Sequence, residues 1–386
     1  MVVVTLILII TGFALTQYLV NLHRDIESSL AVRWFNRGEE AMEAHLPAVA
    51  ADDFRTALSY NAEDREYRLR LAQALLAGNR LNEARAHLIS LWEEEPADGE
   101  VNLTLARLFV RRSDYSKAVR YYSNAVNGVW SEQPRSQRIA TRFELAEYLI
   151  QQNKGAQAQA ELMALQADGP ADPADQLLLA GMLLQVNEPK RALEAYQTVL
   201  SHDPKIAQAW LGKGQASLAL GNYNEAEYDI ANAVDRDPKL DDARRQLDLV
   251  REILRLDPAQ RGLSLAERSK RAAESFQLAQ QRLNTCATQL GFSLAAQSSP
   301  PAGGEPAQRA AASTPAAQQL QTLYATGLQI QPSATQHALI RNPDALDPTA
   351  QYVYNVERAT APVCPVTELA DRALLTLAQS EVEPPK

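Results

Sequence analysis

The apolar positions of this chain change their spacing along its length. Over residues 1–21, MVVVTLILIITGFALTQYLVN, they are nearly continuous, and His23 is the first ionisable side chain. From 31 to 240, small and large apolar residues recur in blocks of one period. Over 272–290, Ala272, Phe276, Ala279, Leu283, Cys286 and Leu290 advance by four and three residues in turn, the stripe of one helix face. Beyond 317 the apolar residues return as short amphipathic stretches. Every one of these spacings is helical, so the predicted fold class is all-α.

In the middle region the small residue of a first helix falls at 38, 72, 106, 146, 180 and 214, in steps of 34 with one step of 40. The long step is a six-residue insertion near 128–138. A second small residue recurs at Ala50, Ala84, Ala118, Ala158, Ala192 and Ala226, and a large residue follows at Phe54, Leu88, Tyr122, Leu162, Tyr196 and Ile230. Small residues let two helices of a hairpin approach, and the large ones fill the layer between hairpins. Gly78-Asn79 and Gly221-Asn222 supply turns, and Pro96, Pro170, Pro204 and Pro238 end second helices. Such a unit cannot bury its own apolar face, so stability comes from stacking neighbours. Residues 240–256 read as a cap.

These residues resemble the tetratricopeptide repeat (TPR) family. The sixth unit, AWLGKGQASLALGNYNEAEYDIANAVDRDP, is the best match, with Lys213 and Ser217 where the family has Leu and Tyr. The resemblance implies a right-handed α-solenoid of about six hairpins over 31–240, in units 31–64, 65–98, 99–132, 139–172, 173–206 and 207–240. It also implies where a ligand would lie, since in that family the first helices line the groove. Here those positions are Phe35 and Met42; Leu69, Gln73 and Leu76; Leu103, Arg107, Val110 and Arg111; Phe143, Glu147 and Ile150; Leu177 and Leu184; and Leu211, Gln215 and Leu218. Only Arg107 and Arg111 resemble the family's carboxylate-clamping residues, and both lie in one unit. The expected groove is therefore apolar and suited to an amphipathic or apolar segment of another protein.

The uncharged start predicts a membrane anchor. About 20 helical residues span a hydrocarbon core of roughly 30 Å, so residues 1–22 are expected to form a transmembrane helix, with 23–30 a juxtamembrane connector. A cleaved signal peptide and a buried core helix are the alternatives. With the resemblance, this places the protein in a bacterial inner membrane as a single-pass protein with the bilayer as a second partner. Arg24, Arg33 and Arg37 follow the span with no basic side chain before it, which favours a cytoplasmic body. Asp25, Glu27, Glu39 and Glu40 dilute that signal, and the side, periplasmic or cytoplasmic, stays open.

The formal charge of −9 over 386 residues argues against a nucleic-acid partner. The five His, at 23, 45, 87, 202 and 337, share no metal-ligand spacing. There is no phosphate-binding or nucleophile motif, and Gly212-Lys213-Gly214 sits inside a repeat helix. No enzyme activity, cofactor or metal is expected. Asn102-Leu103-Thr104 fits a glycosylation sequon. The two cysteines, Cys286 and Cys364, are either unrelated thiols or a disulfide that would staple the C-terminal region to the helix before it and need an oxidising compartment.

The remaining parts are 241–290, a capping helix and a long amphipathic helix; 291–316, a Pro/Ala/Ser-rich linker; and 317–386, a small helical extension. Thr314-Pro315 and Asp347-Pro348 read as N-caps followed by Pro, and 367–379 as a last helix. The extension is too short for a core of its own and is expected to dock in cis on the array, competing with an external ligand. The leading reading is a membrane-tethered, non-enzymatic scaffold in assembly or quality control of envelope complexes. The alternative is a repeat array that carries a small sensor or enzymatic domain in the extension.

Overall fold

The computed structural model of the chain describes residues 2–170, 172–294 and 314–380, with side chains from Gly12 onward. Most of the expected linker, 295–313, lies outside the described residues. The chain divides into two compact units, Met1–Pro170 and Ala171–Lys386, and the described residues outside the turns are almost wholly helical.

The first unit holds α1 (Val2–Glu43), α2 (Pro47–Tyr60), α3 (Arg65–Ala77), α4 (Leu81–Glu94), α5 (Gly99–Arg111), α6 (Tyr115–Val126), α7 (Pro134–Gln151) and α8 (Gly155–Asp168). Helices pack as hairpins, α1 with α2, α3 with α4, α5 with α6 and α7 with α8, and each hairpin packs on the next. The small residues explain the close approach. A side chain built on Gly38 would meet the Phe54 ring at 2.5 Å, and Ala72, Ala106 and Ala146 at the equivalent positions are fully buried. Phe54, Leu88, Tyr122 and Leu162 fill the layers. Asp64, Asp98 and Asp114 cap α3, α5 and α6 by accepting from the backbone N–H groups of Tyr67, Val101 and Lys117.

One feature of every hairpin turn is conformational. His45, Asn79, Ser113, Asn153, Asn187 and Gly221 all have φ between 55° and 73°. They occupy the same place, seven residues after the small residue of the first helix. The turn needs one left-handed residue, which Gly adopts freely and Asn tolerates. His45 and Ser113 hold that conformation without either advantage.

The expected transmembrane anchor is corrected. Among the described residues no helix is long and apolar enough to cross a membrane. The side chains of 1–11 lie outside the described residues. The described apolar stretch, 12–22, is about 16 Å long, roughly half a hydrocarbon core. The connector at 23–30 is also not a separate element. HRDIESSL contains no Gly or Pro, and α1 continues through it to Glu43, with His23 paired to Glu27 at 3.1 Å. The same helix packs on α2, with Ala31 and Ala41 buried. The single-pass inner-membrane location falls with the anchor.

The second unit holds α9 (Pro173–Gln185), α10 (Pro189–His202), α11 (Ala207–Ala219), α12 (Tyr223–Arg236), α13 (Asp241–Leu256), α14 (Leu265–Gln289), α15 (Pro315–Ile330), α16 (Gln336–Arg341), a 3₁₀ turn (Pro343–Ala345), α17 (Leu346–Thr360) and α18 (Leu369–Ser380). α9 to α12 form two hairpins, and α13 packs on α12. The stripe on α14 is covered by the C-terminal helices. Phe276, Leu283 and Cys286 share a core with Leu320, Val353, Val356, Leu374 and Leu377. α18 packs on α13, and Tyr223 of α12 donates its hydroxyl to Ser380 Oγ at 3.0 Å. Cys286 and Cys364 form a disulfide with Cα atoms 5.7 Å apart. Beside it the guanidinium of Arg282 donates to the carbonyls of Cys364 (2.9 Å) and Pro365 (2.7 Å).

Thr314 caps α15 by accepting from Ala317 N–H. Asp347 does not act as an N-cap. The 3₁₀ turn leads into α17 two residues earlier, with Ala345 at the N-cap position, and Asp347 lies in the first turn. Helix α16, capped by Thr335, has no counterpart in the pattern reading, because six residues are too few to show a period.

The hairpin packing makes a measurable prediction. Ala106 is fully buried at a small-residue position, so Ala106→Leu should destabilise the first unit by about 1–3 kcal/mol through overpacking. Leu178→Ala, at an exposed site, should change stability by less than about 0.5 kcal/mol. Urea unfolding of the two variants checks this, and equal shifts would show the assigned register to be wrong.

Candidate functional site

In the first unit the first helices of successive hairpins leave a groove of about 1020 Å³. α3 contributes Leu69, Arg70, Gln73, Leu76 and Ala77, and α5 contributes Glu100, Leu103, Thr104, Arg107, Val110 and Arg111. Met42 closes one edge. Tyr122 of α6, Glu144 of α7 and residues Val129–Glu132 close the others.

The walls are an internally bonded polar network. Arg70 Nη1 donates to Gln73 Oε1 (3.0 Å) and Glu100 Oε1 (3.2 Å), and Gln73 Nε2 donates to the same Glu100 oxygen (3.0 Å). Arg107 grips Glu144 with two nitrogens, Nε to Oε1 at 2.9 Å and Nη2 to Oε2 at 2.7 Å. Tyr122 donates to that carboxylate at 2.7 Å. Burial first, and then this hydrogen bond to Glu144, push the Tyr122 hydroxyl well above the usual phenol range. Arg111 Nη1 donates to Leu76 O at 2.9 Å, satisfying a carbonyl in the last turn of α3.

The six-residue insertion builds the rim. Gly99 N–H donates to Val129 O and Val129 N–H to Ala97 O, each at 2.8 Å. The Trp130 ring lies on Gly99, where any Cβ would collide with it. Its Nε1 donates to Ala125 O at 3.0 Å. The insertion is therefore held by backbone bonds and one aromatic ring, with Val129 left exposed.

Two family models described as tetratricopeptide repeat match the chain, one over residues 41–108 and the other over 177–241. The chain carries tetratricopeptide repeats. Solved structures of similar fold include YrrB, described as a TPR protein with an unusual peptide-binding site. It is 19% identical, over 51% of this chain and 98% of that one, with a TM-score of 0.41. The C-terminal part of a TPR repeat-containing protein from Cytophaga hutchinsonii is 13% identical over 57% and 86%, with a TM-score of 0.46. PilW, described as a type IV pilus biogenesis factor, is 17% identical over 58% and 98%, with a TM-score of 0.41. A comparison with curated proteins gives no match.

Within the TPR groove the structure brings together Met42, Leu69, Gln73, Leu76, Leu103, Arg107, Val110 and Arg111 of the residues expected there. Phe35 is elsewhere, stacked on Tyr67 with ring centroids 4.6 Å apart and tilted against Phe54. Phe143 is buried, Ile150 is half-buried and Glu147 is exposed, accepting from Gln151 at 3.3 Å. None of the three lines the cavity. Leu177, Leu184, Leu211, Gln215 and Leu218 belong to the second unit. Leu211 is buried with Ile230 and Leu247, and Leu218 is partly buried against both that cluster and the C-terminal core. Leu177, Leu184 and Gln215 are half-buried.

The groove has a mixed lining, apolar in its floor and polar along its walls. Leu69, Leu76 and Leu103 are only 4%, 7% and 7% exposed, so they form a floor, and what a ligand can reach is divided about evenly between polar and apolar surface. The apolar residues at these positions hold adjacent helices together before they offer any surface. Tyr122, Glu144 and Val129–Glu132 escape a reading by repeat position, because they reach the groove from a second helix, a neighbouring unit and an insertion. The 40-residue step was the one signal that something irregular stood there. The Asn102 sequon is closed, since Asn102 is fully buried and its amide donates to Pro96 O and Asp98 O at 2.8 and 2.6 Å. Among the described residues no group of three or more His, Cys, Asp or Glu is placed to hold a metal ion.

Proposed function

We propose that the chain is a non-enzymatic adaptor whose first unit holds a segment of another protein in the groove between α3, α5 and the 129–132 insertion, in the assembly or quality control of a larger complex. The observation that carries this reading is the groove itself. It has a closed apolar floor and walls in which Arg70, Gln73, Glu100, Arg107, Tyr122 and Glu144 are already fixed by hydrogen bonds to one another. Such walls lose little conformational freedom when a segment binds, which favours binding over chemistry. The C-terminal extension docks in cis in this reading and caps the last hairpin. Its support is the packing of α18 on α13 and the partial burial of Leu218 and Leu254 against the C-terminal core.

Ala77 is exposed and lines the groove, so Ala77→Trp fills the space without touching the core. In-cell crosslinking followed by mass spectrometry should lose its main adducts in this variant while the thermal midpoint stays unchanged. Adducts that persist at full yield, with the fold intact, would move the binding surface elsewhere.

A further inference from the structure

We infer that the segment held in this groove is cationic, a stretch of polypeptide in which Lys or Arg side chains alternate with apolar ones. This rests on the groove reading above and deepens it by assigning the charge class of the occupant.

Four guanidiniums and six carboxylates line the cavity. Arg65, Arg70 and Arg107 are each committed to carboxylates: Arg65 to Asp98 and Glu95, Arg70 to Glu100, Arg107 to Glu144. Arg111 spends a donor on the Leu76 carbonyl. Among the described residues Glu66 and Glu132 have no hydrogen bond or ion pair, and both are exposed at the rim. Glu39 stands close enough to Glu66, Glu43 and Glu100 that, after burial, their charges help raise its carboxyl above its usual range, with Arg70 the opposing cation.

The excess negative charge also has a location. Glu66 and Glu100 occupy the same second position of successive first helices, and Glu132 follows on the insertion. Together they form one edge of the groove, while Leu76 and Val110 lie toward the opposite ends of the same helices and Met42 near the end of α1. An anionic segment would meet this carboxylate edge and find Arg65, Arg70 and Arg107 already paired, which leaves Arg111, exposed and bonded to the Leu76 carbonyl, as the one lining guanidinium without a carboxylate partner among the described residues. A cationic segment can pair with Glu66 and Glu132 without breaking any existing bond, and the concave walls strengthen the field it meets.

The test uses the full chain and three short probe peptides of one apolar pattern that carry Lys, Gln or Glu between the apolar residues. Calorimetric titration should show the Lys peptide binding at least about tenfold more tightly than the Glu peptide at about 0.1 M salt. Most of that advantage should vanish at about 1 M, where the screening length falls from about 10 Å to about 3 Å. Glu66→Gln combined with Glu132→Gln alters only exposed rim side chains. It should weaken the Lys peptide about threefold to tenfold and leave the Gln peptide unchanged. Equal or tighter binding of the Glu peptide, or an unaffected double variant, overturns the inference. If the Gln peptide binds as tightly as the Lys peptide and Ala77→Trp abolishes both, the charge assignment fails while the groove reading stands. If no peptide binds, or Ala77→Trp changes nothing, the groove reading fails and takes this inference with it.

Discussion

Opening the Cys286–Cys364 disulfide is expected to lower the stability of the second unit by about 4 kcal/mol. The bond joins residues 78 apart in sequence. In the chain-entropy account its main effect is on the unfolded chain, which loses the freedom of a long loop when the ends are tied. The folded state has other anchors at the same junction. Arg282 donates to the carbonyls of Cys364 and Pro365 and pairs with Asp371 at 3.5 Å, while Gln280 Nε2 donates to the Tyr352 hydroxyl oxygen at 3.1 Å. The reduced protein should therefore keep α14 to α18 packed under native conditions and unfold at a lower urea concentration. Cys286→Ala with Cys364→Ala should match the reduced wild type, because both sites accept a small apolar side chain. Urea unfolding followed by near-ultraviolet and far-ultraviolet dichroism reads both points. A loss under about 1 kcal/mol would mean that the denatured chain is already compact around this junction.

The second large effect is a pH dependence centred on Glu357. This side chain is fully buried in α17, and both its carboxylate oxygens lack a hydrogen-bond partner. Burial first, and then the Asp371 charge, push its carboxyl up to about 8, with Arg282 opposing. The sign follows from linkage. In the unfolded chain the group releases its proton near its ordinary value of 4.5, whereas the folded protein retains it to about 8. Between these values the folded state binds more protons, so stability falls as pH rises through that window and levels off above it. The full cost is on the order of 5 kcal/mol. Burial also raises Asp371, which adds to the same slope. Glu357→Gln removes the titration, so the difference between wild type and variant should widen between about pH 5 and about pH 8.5 in favour of the variant. Parallel pH profiles for the two proteins would show that Glu357 is hydrated or ionised in the folded state.

Both effects lie in the part of the chain where sequence pattern is least informative. Cys286 sits on an apolar stripe and Cys364 between two prolines, a description that fits a free thiol as well as half of a disulfide. Glu357 lies one residue beyond Val356 in an amphipathic stretch and carries no sign of burial, since one helix of that length has no unique inner face until its neighbours are placed. Arg282 is equally inconspicuous within α14.

What this sequence determined by itself is the local layer of the structure. Small residues every 34 positions, large ones sixteen further on and prolines at the ends specify helix hairpins. Each requirement is met within one hairpin or between neighbours, so a periodic sequence states it repeatedly. The helix spans of α13 and α14 and the capping of α15 by Thr314 belong to the same layer. Tertiary structure alone decided the charge of the groove. The pairing of Arg70 with Glu100, and of Glu144 with Arg107 and Tyr122, joins residues 22 to 37 apart. It depends on where one helix's side chains meet the next, which periodicity does not encode. Tertiary structure also decided that Leu69 and Leu103 are floor rather than surface, that the insertion carrying Trp130 becomes a rim, and that α1 continues without a break from 2 to 43. In each case the reason is the same. A side chain's type sets what it can do, and its neighbours across the fold set which of those options remains.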